Sequence, residues 1–147
     1  MNKFWFLILL GWGPTLCHAQ LIQPVSQETE ESILKITIGQ HNFTATLEDN
    51  RSAQAFKELL LKGALTLSMK DYGGFEKVGD LGIHLPQSDT LIRAQPGDVI
   101  LYQGRQITIY YDHNTWNFTK IAKIHEVSHL KEILGSGSVT AIFSIEE

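Results

Sequence analysis

The sequence predicts a mainly β domain that closes into an antiparallel barrel of about eight strands, capped by two short helices. Three observations carry this. Short runs of β-branched and aromatic residues recur from Ile33 to Ile145, separated by Gly, Asn and Asp turns. Only two stretches have helical spacing, and they do not alternate with strands in the βαβ rhythm of a parallel sheet. Finally, Pro96–Tyr111 (PGDVILYQGRQITIYY) reads as a hairpin that is apolar on both faces. Val99 and Leu101 take one side of its first strand and Ile100 and Tyr102 the other, and a strand apolar on both sides has protein on both sides.

The elements follow in order. Ile33–Ile38 (ILKITI) is a strand, residues 39–42 a turn, and Phe43–Leu47 an alternating strand, so the domain opens with a hairpin near Ser32. Residues 52–62 place Ala55, Phe56, Leu59 and Leu60 at helical spacing, with Gly63 as the stop. Residues 64–69 are a strand, 70–74 a loop, and 75–78 a short strand. After an irregular stretch with Gly82 and Pro86, a brief strand is expected at 90–93, then the central hairpin turning at Gln103-Gly104-Arg105. Residues 112–117 (DHNTWN) read as a polar loop, 118–124 as a strand, 128–134 as a short helix and 138–145 as the last strand.

Ahead of the domain, residues 1–19 have the form of a signal peptide. Lys3 precedes the apolar run Phe4–Gly11, too short to span a bilayer, and Cys17-His18-Ala19 is a small-x-small cleavage site. Residues 20–31 are polar and acidic, a tail, and the barrel domain takes 32–147. The expected location is therefore exported, periplasmic or secreted, with no transmembrane segment in the mature chain. Cleavage removes Cys17, the sole cysteine, so no disulfide supports the fold. The chain carries 12 basic and 16 acidic residues. Losing Lys3 leaves a net charge of −5, which argues against binding nucleic acid.

Three stretches, Phe43–Leu60, Leu65–Leu81 and Gly97–Ile124 with its Leu134–Phe143 tail, resemble the bacterial cyclophilin-like family in order and spacing. The resemblance implies a closed cyclophilin-like barrel of unsettled activity. It does not carry prolyl isomerase catalysis across: the Phe-His-Arg motif and the Gln-Gly-Gly-Asp segment of true cyclophilins are both missing. Arg93 is the arginine best placed to face a groove.

A second signal is His125-Glu126-Val127-Ser128-His129, an H-E-x-x-H match. On a helix, His125 and His129 would bind zinc from one face and Glu126 would activate the bound water. The residues after His129 supply no third ligand, and residues 120–124 read as strand, which puts the two imidazoles on different faces. The motif is read as a polar turn, with His125 and His129 as weak metal candidates and no cofactor expected.

The remaining candidates are aromatic. Tyr72 and Trp116 sit in expected loops and are read as rimming an open end of the barrel. Phe75 and Tyr102, with Arg93 and His113, complete a candidate ligand site. Asp112-His113 has no nucleophile beside it and is read as a hydrated turn. The expectation is an exported binding module for a small molecule or peptide. An isomerase-related or other small enzyme is the alternative, and a zinc protease comes behind both.

Overall fold

The computed structural model describes residues 31–146, with Gly11 and Gly13 besides, so the expected signal peptide and most of the tail lie outside the described residues. Nine strands and two helices follow one another: β1 Ile33–Ile38, β2 His41–Leu47, α1 Arg51–Leu61, β3 Leu65–Tyr72, β4 Glu76–Asp80, β5 Thr90–Ala94, β6 Asp98–Tyr102, β7 Gln106–Tyr110, β8 Asn114–Ile124, α2 Leu130–Leu134 and β9 Val139–Glu146. Every pairing is antiparallel. The order β2-β1-β9-β3-β4-β7-β6-β8 returns to β2 through the β2–β8 ladder, so eight strands form a closed ring. β5 lies outside it, paired to the first half of β8.

Alternation decides what faces inward. Ile36, Met69, Val99, Leu101, Ile107, Ile109 and Phe143 fill the ring with under 1 % exposure each. Each such side chain contributes about 2 kcal/mol of burial. The helices close opposite ends, because α1 joins the end of β2 to the start of β3 and α2 joins the end of β8 to the start of β9. α1 buries Phe56 and Leu60, with the Phe56 ring edge-on to Phe143 at 5.8 Å. Asn50 caps it and ties it to β8: its Oδ1 accepts from Ala53 N at 2.8 Å and its Nδ2 donates to Lys120 O at 2.8 Å.

The central hairpin is apolar on both faces, as its sequence requires. Its inner face belongs to the ring interior, while Ile100 and Tyr110 point outward into a second cluster with Ala94 and Phe118, partly covered by Phe75, Ile92 and Tyr102. Its turn has a structural duty. Gly104 has φ +68, and a Cβ there would sit 2.9 Å from Leu85 O. That close approach lets Gly104 O accept from Leu85 N at 2.7 Å and anchors the long β4–β5 connection.

Two boundaries differ from the sequence expectation, and both matter. Residues 70–72 continue β3 instead of forming a loop, because Lys70, Asp71 and Tyr72 pair with Val78, Lys77 and Glu76. Residues 114–117 likewise start β8, pairing with β5. Polar strand residues masked both extensions. Tyr72 and Trp116 therefore stand on strands, on the outside of the ring wall, and do not rim an open end.

Candidate functional site

The outward residues of β3, β4, β7, β6 and β8 surround a cavity of about 1090 Å³ on the outer face of the ring. Its geometry is a consequence of register. Glu76 lies opposite Tyr72 on one side and Tyr110 on the other, and Val78 lies opposite Lys70 and Thr108. Ile100 and Tyr102 on β6 and Trp116 and Phe118 on β8 share the same outward phase. Period-two alternation thus lines one groove with residues far apart in sequence.

The walls are aromatic. Phe75 stacks on Tyr110 with centroids 5.9 Å apart and planes at 22°, and Tyr72 meets Phe75 edge-on at 5.9 Å. Phe118 packs against Tyr110 at 5.7 Å and Tyr102 at 6.1 Å. Tyr110 and Phe118 are buried, whereas Tyr72 and Trp116 remain 63 % and 57 % exposed at the mouth. A large aromatic left this open beside a concave surface is characteristic of a contact surface.

Phe75 is held over the groove by its backbone. Its carbonyl accepts from Tyr111 N at 2.9 Å and Asp112 N at 3.2 Å. Gly73 makes room for it: with φ +63, a Cβ at this position would lie 2.2 Å from the Phe75 ring. Any side chain there displaces Phe75 from Tyr110.

At the floor lies Glu76, only 8 % exposed. Burial raises its pKa above the ordinary glutamate value, the hydroxyls of Tyr110 and Thr108 beside it pull the other way, and the charge of Asp71 adds to the rise. Tyr110 is itself pushed up by burial and by Glu76. Thr108 Oγ1 is buried and has no aligned hydrogen-bond partner among the described residues. Glu76 takes part in no ion pair among them either.

The other acids of the groove are already engaged. Asp80 accepts from Arg105 Nε at 2.9 and 3.0 Å, and that contact lowers its pKa. Asp71 accepts from the Tyr111 hydroxyl and, at 3.0 Å, from Lys77 Nζ, and both hold its pKa down. Lys77 points to the inner side, fully buried, and also donates to Gly135 O at 2.8 Å and Gly137 O at 2.7 Å. Tyr111, whose ring lies 5.5 Å under that ammonium, has its hydroxyl pushed up to about 12 by burial and by Asp71.

Of the residues expected from the sequence, Tyr72, Phe75, Tyr102 and Trp116 meet around this groove. Arg93 does not. It stands on the exposed face of β5 together with Leu91, in the opposite phase to Ile92, whose partner is Trp116. His113 is also absent from the lining; it sits in a turn with its Nδ1 3.3 Å from Asp112 Oδ1. His125 follows the last residue of β8, with Nδ1 3.0 Å from Thr44 Oγ1 and Nε2 2.6 Å from Thr46 Oγ1. His129 is the residue before α2, and its Nδ1 lies 3.4 Å from Glu132. Glu126 accepts from the Ser128 hydroxyl and, at 2.8 Å, from Ser128 N, and these keep its pKa low. The five residues form a strand end and a turn, so the two imidazoles do not share a helix face.

Sequence reasoning missed Glu76, Thr108 and Phe118. One signal was available for Glu76. Glu76-Lys77 are consecutive charges inside a strand, and alternation sends one of them to each side of the wall.

In comparison with known proteins, residues 36–145 match the profile of the cyclophilin-like family. No curated protein matches the chain.

Proposed function

The chain belongs to the cyclophilin-like family, and from that premise we propose that it is an exported binding module that holds a small ligand or peptide in the outer groove. One observation carries the reading. A cavity of about 1090 Å³ with aromatic walls has, at its base, a buried carboxylate, Glu76, that makes no ion pair among the described residues. Buried charges are ordinarily paired, so a carboxylate without a counter-charge beneath an aromatic cavity supports a binding role. The mouth residues Tyr72 and Trp116 add contact area that the fold does not require.

Export rests on the leader pattern of residues 1–19, with cleavage after Ala19. The mass of the protein recovered from the producing cells tests it: loss of the first nineteen residues supports export, and an intact N-terminus in the cell interior refutes it.

A thermal-shift screen of the full chain against metabolites and proline-containing peptides tests the groove. A ligand that binds only the folded state raises Tm with concentration. The expected hit loses its shift in a Tyr72→Ala, Trp116→Ala double variant whose own Tm is close to the parent's. A hit whose shift survives the double variant places binding elsewhere and overturns the reading.

A further inference from the structure

We infer that the groove selects ligands bearing a positively charged nitrogen, an ammonium or guanidinium on an apolar body, and that Glu76 is the residue that receives it. The inference deepens the proposed binding role and rests on it. Three acids or bases other than Glu76 line the groove, and two of them are spoken for. Asp80 is paired with Arg105, and Asp71 with Lys77 and Tyr111. Lys70 lines the mouth on β3 and makes no ion pair among the described residues.

Glu76 is different in kind. It is more than nine-tenths buried, it faces the cavity, and no cation of the chain pairs with it. A carboxylate removed from water and left without a counter-charge is costly unless something brings that charge. The surroundings are suited to the same guest. The half-buried ring of Phe75 and the open ring of Trp116 present π-electron density, which attracts ammonium and guanidinium groups. The apolar remainder of the ligand then lies against Tyr102 and Phe118.

The test compares three probes of one shape on the full chain: phenethylamine, 2-phenylethanol and phenylacetate, followed by calorimetric titration. An acetylated, amidated Lys-Phe dipeptide forms a second arm and separates a free amine from a side chain of a peptide. The expected result is binding of phenethylamine or the dipeptide at least about tenfold tighter than of the alcohol, with phenylacetate weakest. Glu76→Gln, which keeps the shape, should bring the cationic probe down to the affinity of the alcohol. Glu76→Asp, which keeps the charge, should retain part of the preference. The circular dichroism of each variant establishes that it is folded.

Equal affinity for the three probes, lost in the Tyr72→Ala, Trp116→Ala variant, overturns the cation preference and leaves the groove as a binding site. Preference for phenylacetate overturns it in favour of Lys70. Binding unaffected by both sets of substitutions overturns the groove as well.

Discussion

Glu76 and Lys77 are neighbours on β4, and each carries a charge into a buried place, on opposite sides of the ring wall. Lys77 is surrounded: Asp71, two glycine carbonyls and the face of Tyr111 meet its ammonium. By those contacts it ties β4 to the segment that leads from α2 into β9. Glu76 has two hydroxyls beside it and no counter-charge among the described residues. A buried charge with every partner supplied by the fold belongs to the fold. One whose partner is missing belongs to something the fold has yet to meet.

Four substitutions break or sharpen this contrast. The largest effect is expected from Lys77→Met, which strands Asp71 and two carbonyls and should cost about 3 kcal/mol in a urea unfolding series. Gly73→Ala should cost about 1 kcal/mol through its positive φ, and it should weaken ligand binding by moving Phe75 off Tyr110. Glu76→Gln should do the reverse of Lys77→Met, raising stability at neutral pH by up to about 1 kcal/mol, since it removes an unpaired buried charge. Trp116→Ala should alter stability by less than about 0.5 kcal/mol while reducing affinity, because its ring is largely in solvent.

Asp71, the partner of Lys77, and Glu76 also predict opposite responses to pH. Asp71 has a lowered pKa in the folded state. Its contribution is present above the ordinary aspartate range and is lost as pH falls through its folded value. Glu76 has a raised one. Its penalty is absent at low pH, where the group is neutral folded and unfolded alike, and grows as pH rises through the ordinary glutamate range up to the folded value. Stability measured against pH should therefore lose part of its acid limb in Asp71→Asn and lose an opposing slope in Glu76→Gln. Two variants with the same slope change would remove the distinction.

Much of the ring was legible because inward positions are apolar and alternate. β1, β6, β7 and β9 are runs of this kind, and α1 carries its own spacing and cap. The groove was harder to see. Its lining is outward, so polar and aromatic residues stand where alternation would otherwise show solvent-facing ones. Lys70-Asp71-Tyr72 and Asn114–Asn117 therefore read as loops, although each is strand. Tyr72 and Trp116 were recognisable as exposed aromatics, but their common face depends on the ladders through β4, β7, β6 and β8. Glu76 meets Tyr110 and Thr108 only through the β4–β7 register, which no local pattern encodes. Arg93 illustrates the converse: it was the arginine best placed by its position in the sequence, and a phase of one residue turned it away.

The most direct test of the central claim is a backbone amide NMR titration of the full chain with phenethylamine, at a pH where Glu76 is ionised. The account predicts shifts concentrated at Tyr72–Glu76, Thr108–Tyr110 and Trp116–Phe118, and their disappearance in Glu76→Gln. Shifts centred on α1 or the β5 outer face, or shifts indifferent to Glu76→Gln, would contradict it.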